Sequence, residues 1–404
     1  MIIGIIGAGA AGMAAALAAA ENTDNRVVLL ERQARVGRKL QATGNGRCNL
    51  TNSNAKAENY HGEDPAFTAP ALSAMGPNET LSWFRSLGLF TVTEPSGKVY
   101  PYSDQANSVV DVLRFALDKP NIELRTGFEV EKLRKEDGGF VVSNGEETVF
   151  CHRLIIACCG LAGTKLGGSM SGYKLLGKLG HKTTRLRPSL VQLKSNWGAL
   201  ASLKGVRANS HVQILHDGIL FAESTGELQF TDYGLSGPVI FEVSRDACQS
   251  QGDWTAKLDL LPHCDAGELT EELLRRSKFA LPMDELLTGV LHNRLGRVLT
   301  RAAGVKGKQT ADQLEGDEIA QIVRAVKSFE ISLTEPMGME NAQVTAGGVL
   351  TRDFDPETME SKLVPGLYGC GEVLDIDGDC GGYNLQWAWS SGYLAGKSAG
   401  KETK

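Results

Sequence analysis

Met1-Ile2-Ile3-Gly4-Ile5-Ile6-Gly7-Ala8-Gly9-Ala10-Ala11-Gly12 opens the chain, and the reading of this stretch decides the fold. An apolar, β-branched run stops at glycines spaced GxGxxG, and an alanine-rich segment follows. The pattern predicts a buried strand, a tight turn and a helix. Gly7 permits the turn off the strand, and Gly9, lacking a Cβ, lets the backbone approach a pyrophosphate. Gly12, followed by Ala14, Ala15, Ala16, Ala18, Ala19 and Ala20, lets the helix lie close on the sheet. The helix amino terminus then offers unpaired N–H groups and partial positive charge to phosphate, so Gly7, Gly9, Ala11 and Gly12 are candidate cofactor residues. A second apolar run, Arg26 to Leu30, ends in Glu31, 19 residues past Gly12. An acid there takes ribose hydroxyls and repels a 2′-phosphate, which favours the adenosine of FAD or NAD over that of NADP. A lone glycine motif is common. In this strand–turn–helix–strand–acid order it predicts an α/β fold with a Rossmann-type dinucleotide-binding domain.

Working outward, Arg32, Arg38 and Lys39 lead into Gly44-Asn45-Gly46-Arg47-Cys48-Asn49. A stretch so dense in Gly, Asn and Arg reads as a structured loop. Arginine forks, a lysine and glycine amides suit phosphates or the carbonyl oxygens of a flavin, so Arg32, Arg38, Lys39, Gly44, Asn45 and Arg47 join the cofactor candidates. Near the carboxyl end, Gly381-Gly382-Tyr383-Asn384-Leu385-Gln386-Trp387 reads as a glycine turn feeding another helix.

These motifs, together with Ala342-Gln343-Val344-Thr345-Ala346-Gly347-Gly348-Val349, resemble the BaiN/RdsA (YhiN-like) family of NAD(P)/FAD-dependent oxidoreductases over essentially the whole chain. The resemblance implies a flavoprotein of the two-dinucleotide-binding-domain type, with FAD as cofactor and NAD(P)H as a transient donor. Only one credible GxGxxG is present, so the nicotinamide would dock against the flavin without a second nucleotide domain. By the same resemblance Val130 lies against the adenine, and Ala157 and Gly160 end a buried strand beneath the FAD. Cys158-Cys159 stands there in place of the usual Thr-Gly. Gly371 and Glu372 bind the ribityl chain, and the backbone amides of Asn384 and Leu385 face the flavin pyrimidine.

The expected domains are an FAD-binding domain at 1–188 and 342–404, an inserted β-rich barrel or sandwich at 189–264 and 326–341, and a helical subdomain at 265–325. Expected strands include Phe128 to Leu133, Leu190 to Leu193, Ile219 to Glu223 and Gly226 to Thr231.

The expected activity is passage of hydride through flavin N5, from NAD(P)H to a small organic acceptor such as a conjugated enone of the oxo-steroid or bile-acid kind. Such a reaction needs a group polarising the ketone and an acid for the α-carbon. Tyr383, Asp232, Tyr233 and Arg47 are the candidates, unranked by spacing. Asp232 stands in a loop, Phe230 to Pro238, where many relatives carry histidine. The alternatives are a flavin-dependent RNA-modifying enzyme, a non-catalytic flavin sensor, and a disulfide reductase using Cys48 and Cys380.

The net charge of −6 argues against a general nucleic-acid binder. Eight cysteines show no CxxC pair and no zinc spacing, so free thiols and no metal are expected. No run is long and apolar enough to span a bilayer, and the first strand begins at Ile2, which gives an expectation of a cytoplasmic protein without a membrane partner.

Overall fold

The computed structural model describes residues 1–401. Its contacts divide into two units, Met1–Pro188 with the chain from Ala342 onward, and Ser189–Asn341.

The first unit is built on a five-stranded parallel sheet. Its order is Leu367–Gly369, Arg153–Ile156, Ile2–Ile6, Arg26–Glu31, Ile122–Thr126. Strand Ile2–Ile6 is central, as its unbroken apolar run requires of a strand covered on both faces. A strand from near the carboxyl end, Leu367–Gly369, thereby joins the same sheet as the first. A three-stranded antiparallel meander, Lys132–Glu136, Gly139–Ser143 and Thr148–Cys151, is carried beside it. The run expected as a strand over Phe128 to Leu133 enters this meander only at Lys132. Its first part is held elsewhere, because the Phe128 N–H bonds the Glu31 carbonyl at 2.9 Å and draws Val130 towards the end of the second strand.

The first helix, Ala10–Ala19, packs along the last, Tyr383–Gly400. The contact is backbone on backbone. Built onto Gly392, a Cβ would lie 2.3 Å from the Ala11 carbonyl oxygen, and onto Gly396, 2.2 Å from that of Ala15. Glycine at every fourth position of one helix therefore meets alanine at every fourth position of the other. Gly396→Ala should cost about 2 kcal/mol by forcing the helices apart. Gly177, exposed in helix Ser171–Lys178 with nothing near its Cβ position, is the control. There alanine should add about 0.5–1 kcal/mol. Urea midpoints of the FAD-free protein check the pair, and shifts in the same direction would contradict the packing account.

The second unit is a six-stranded antiparallel sheet in the order Leu193–Lys194, Gly234–Ser236, Ile219–Phe230, Arg207–His216, Trp254–Asp259, Phe329–Leu333. Beyond its last strand the chain bonds back to its first. The Thr334 N–H reaches the Lys194 carbonyl at 2.9 Å, and the Lys194 N–H reaches that of Glu335 at 2.9 Å. The sheet thus closes nearly to a barrel, which removes its open edges. The two strands expected over Ile219 to Glu223 and Gly226 to Thr231 are one continuous strand. Pairing with Arg207–His216 runs unbroken through Ser224, Thr225 and Gly226, and Val239 packs over the missing Cβ of Gly226. In the run expected over Leu190 to Leu193, only Leu193 enters a strand, since Leu190 is left-handed at φ 50°. Helices Ala266–Arg276, Asn293–Ala302 and Gly316–Lys327 share one apolar core with this sheet through Leu269, Leu273, Leu295, Leu299 and Ile322.

Candidate active site

The glycine turn has three different walls. A Cβ on Gly7, whose φ is +104°, would meet the Ala157 carbonyl oxygen at 2.7 Å. One on Gly12 would meet the Gly7 carbonyl oxygen at 1.8 Å. One on Gly9 would meet nothing within 4 Å. The first two glycines are therefore required by the protein's own packing, while the third leaves a bare backbone wall. Helix Ala10–Ala19 begins at that wall with no side-chain cap, and its first internal bond is from Met13 to Gly9. The N–H groups of Ala10, Ala11 and Gly12 have no protein partner among the described residues, as a phosphate-binding terminus requires. Glu31 stands beside them, its carboxylate accepting the Ala8 and Gln33 N–H groups, each at 2.8 Å. These residues fit a dinucleotide, with the pyrophosphate on the helix terminus and the ribose on Glu31.

Both chain ends meet here. Gly371, at φ +75°, abuts the Ala11 methyl. Glu372 projects to Gly160, where a Cβ would fall 2.7 Å from its carboxylate. That carboxylate takes the Lys39 ammonium at 2.7 Å and the Thr345 N–H at 2.9 Å. Thr345 itself accepts the Ala162 N–H at 2.8 Å. So Lys39, Gly160 and Glu372 form one polar cluster under the glycine turn. Arg32 donates to the Gly167 carbonyl at 2.7 Å.

A second group surrounds the start of the last helix. Gly44, Asn45 and Gly46 are consecutively left-handed, at φ 57°, 55° and 85°, which exposes their amides in a tight loop. Gly382, φ +104°, approaches the Thr51 carbonyl so closely that a Cβ would sit 2.5 Å from it. Helix Tyr383–Gly400 starts there without a side-chain cap, and its first internal bond runs from Gln386 to Gly382. The N–H groups of Asn384 and Leu385 have no protein partner among the described residues. The Asn384 side chain instead clasps both the N–H and the carbonyl of Gly378, at 2.8 and 2.7 Å. Trp387 donates to the Gly371 carbonyl at 3.2 Å, linking the two groups, and Trp389 donates to that of Leu50 at 2.9 Å. Gln386, fully buried, bonds Thr51, Thr80, Ser390 and the Met75 carbonyl.

Other candidates are engaged differently. Arg38 is exposed and bonds Gln33. Arg47 pairs with Asp104 and Glu94 through Nε and one terminal nitrogen while lying 3.9 Å over the Tyr100 ring. Asp232 and Tyr233 belong to the second unit. There Lys204, 2.7 Å away, holds the exposed Asp232 carboxyl below the usual carboxylate range. Tyr383 heads the last helix, edge-on to Tyr60. Thr345, which the sequence shows only as part of a motif, and His61, which pairs with Asp379 at 2.7 Å, are not among the site candidates that the sequence offers. His61 sits in a two-residue strand that no periodicity marks.

All eight cysteines are free. Burial pushes the thiols of Cys48, Cys151 and Cys158 up to about 12, and that of Cys370 higher still. At pH 8 a thiol titrating near 12 is about one part in ten thousand thiolate. Native alkylation should therefore spare these four and label them only after unfolding, by peptide mass spectrometry. Early labelling of Cys48 would contradict its placement. Because these thiols titrate above their unfolded values, the stability they contribute is full below the ordinary thiol range and is lost as pH rises from there through the raised values, about 12 for Cys48, Cys151 and Cys158.

An open glycine wall, an uncapped helix and an acid at the end of the second strand fit a dinucleotide, and with the family match they make the chain an FAD-binding flavoprotein of the Rossmann type, an oxidoreductase. The chain belongs to the HI0933-like family, whose model, described as the HI0933-like protein Rossmann domain, matches residues 1–398. It is 41% identical over 404 residues, 98% of each chain, to the 3-dehydro-bile acid delta(4,6)-reductase of Clostridium scindens. It is 32% identical to the ribosomal RNA dihydrouridine synthase of Escherichia coli, over 96% of this chain and 95% of that one. Among solved structures, 3-ketosteroid delta1-dehydrogenase from Sterolibacterium denitrificans, in complex with 1,4-androstadiene-3,17-dione, superposes with a TM-score of 0.53. The match spans 98% of this chain and 99% of that one at 11% identity, a likeness of fold. No helix among the described residues is long and apolar enough to cross a membrane. Nor do they contain a group of three or more His, Cys, Asp or Glu side chains that could hold a metal ion.

Proposed function

We propose that the protein is an FAD-dependent reductase of a carbon–carbon double bond conjugated to a carbonyl, with an oxo-steroid or bile-acid-like enone as substrate and NAD(P)H as donor. The observation that carries this reading is the near-full-length likeness, at 41% identity, to a bile-acid delta(4,6)-reductase. Bound FAD would supply the two-electron chemistry, accepting hydride from a donor and releasing it from N5. The chain's part is to hold and polarise it. Ala10, Ala11 and Gly12 present N–H groups to the pyrophosphate and Glu31 takes the ribose, with Val130 against the adenine. Lys39 and Glu372 flank the ribityl chain. Gly44 and Asn45 border the ring, and the Asn384 and Leu385 amides, backed by the helix dipole, stabilise negative charge at the pyrimidine. Incubation of FAD-loaded protein with NADH or NADPH and a 3-oxo-4,6-diene steroid tests the reading. It expects a product heavier by two hydrogens for each double bond reduced, and an unchanged steroid counts against it.

A second reading has its own support in the ribosomal RNA dihydrouridine synthase relatives. Uridine's C5=C6 bond is also conjugated to a carbonyl, so the same site chemistry serves. The expectation against nucleic acid rests on the acidic balance and the lack of a basic tail, which a local basic groove escapes. Dihydrouridine formed in unmodified ribosomal RNA, with steroid enones inert, would favour this reading.

A further inference from the structure

We propose that His61 is the proton donor of the reaction, with Asp379 as its positioning residue; this rests on the enone-reductase reading above. His61 lies in strand Tyr60–His61, which pairs antiparallel with Asp377–Gly378, just before the Gly381-Gly382 turn. Tyr60 fixes that strand against the last helix. Its hydroxyl donates to the Tyr383 carbonyl at 3.1 Å, and its ring stands edge-on to Tyr383 at 6.5 Å. Successive side chains of a strand point to opposite faces, so the anchor on Tyr60 turns His61 the other way. Gly62 continues the tight path, since a Cβ there would fall 2.1 Å from the Asp375 carbonyl oxygen.

Asp379 is itself held on three sides. Its N–H bonds the Asn59 carbonyl at 3.0 Å, the Asn59 amide donates to one carboxylate oxygen at 3.1 Å, and the other oxygen meets His61 Nε2 at 2.7 Å. A carboxylate can only accept, so Nε2 carries the hydrogen of that bond and Nδ1 is left for proton exchange. The His61 side chain keeps 35% of its surface exposed, enough to be reprotonated from water. The other charged groups nearby are Glu63, which pairs with Arg352 at 3.4 Å, and the buried Asp375 and Asp377. A carboxylate fixing one imidazole nitrogen so that the other can move protons is a recurring acid–base arrangement.

In the step assigned to it, the imidazolium gives its Nδ1 proton to the carbon α to the carbonyl; bound FAD would supply the hydride that the β-carbon takes. The C=C π pair forms the new C–H bond at the α-carbon, and the neutral imidazole regains a proton from water.

The test compares wild type, His61→Gln and Asp379→Asn, all FAD-loaded. First, the imidazole NMR signal absent from His61→Gln identifies His61, and in wild type it should move when a saturated 3-oxo-steroid is added to the oxidised protein. Second, His61→Gln should reduce enone turnover about 100-fold or more, with FAD content and reduction by NAD(P)H unchanged. Asp379→Asn should lower kcat about 10-fold at unchanged KM, and it decides the matter if His61→Gln does not fold. Wild-type turnover with both variants equally active, or a His61 signal indifferent to the steroid, overturns the assignment alone. A wild type inert towards every enone overturns the functional reading beneath it.

Discussion

Gly9→Ala is expected to weaken FAD binding about 100-fold or more, equivalent to about 2.7 kcal/mol, while leaving the melting temperature of the FAD-free protein unchanged. A methyl group at Gly9 meets no protein atom within 4 Å, so the apoprotein has no reason to notice it. The same methyl would stand in front of the unpaired N–H groups of Ala10, Ala11 and Gly12, where the pyrophosphate has to come within hydrogen-bonding distance. Fluorescence titration of the apoprotein with FAD, beside a melting curve without it, reads both halves. A large loss of apoprotein stability, or wild-type affinity, would mean that the phosphates lie elsewhere.

Gly12→Ala should behave in the opposite way. Its methyl would be driven to 1.8 Å from the Gly7 carbonyl oxygen and 3.3 Å from the Ala157 methyl. Neither neighbour can yield easily. Gly7 is fixed by its N–H bond to the Leu30 carbonyl at 2.8 Å, and Ala157 by its N–H bond to the Ile6 carbonyl at 2.9 Å. Backbone clashing with backbone has no rotamer to escape into, so the cost should reach about 3 kcal/mol or more before any cofactor is added. Denaturant unfolding of the FAD-free variant measures it. Two glycines three residues apart are thus assigned different roles, one serving the ligand and the other the fold. An apoprotein of Gly12→Ala as stable as wild type would dissolve that distinction.

The elements that could be read from the sequence are those whose cause is local. The first strand, its glycine turn and the acid at Glu31 follow from spacing within about thirty residues, and the parallel sheet grows from them. The glycine turn before the last helix was equally plain. What escaped depends on partners distant in the chain. Lys39 reads from the sequence as a group for phosphate or flavin oxygens, and the carboxylate beside it, Glu372, lies 333 residues away. The packing role of Gly392 and Gly396 depends on Ala11 and Ala15, at the other end of the chain, being laid against them. His61 occupies a strand of two residues, too short for any alternation, and becomes a candidate only once Asp379 is beside it. Arg47 reads as a cationic group for a cofactor, and the fold adds what spacing does not show, Asp104, Glu94 and the face of Tyr100 around it. The single strand Ile219–Phe230 reads as two because polar Ser224 and Thr225 interrupt the local pattern; its neighbours across the sheet override that break.

The account's central claim is that this flavoprotein delivers hydride to a conjugated enone, and one measurement meets it directly. The FAD-loaded protein is reduced anaerobically until its visible band is bleached, and a 3-oxo-4-ene or 3-oxo-4,6-diene steroid is then added without oxygen. The account predicts that the oxidised band returns, with one double bond of steroid saturated per flavin reoxidised. A band that stays bleached under steroid yet returns when air is admitted would contradict it.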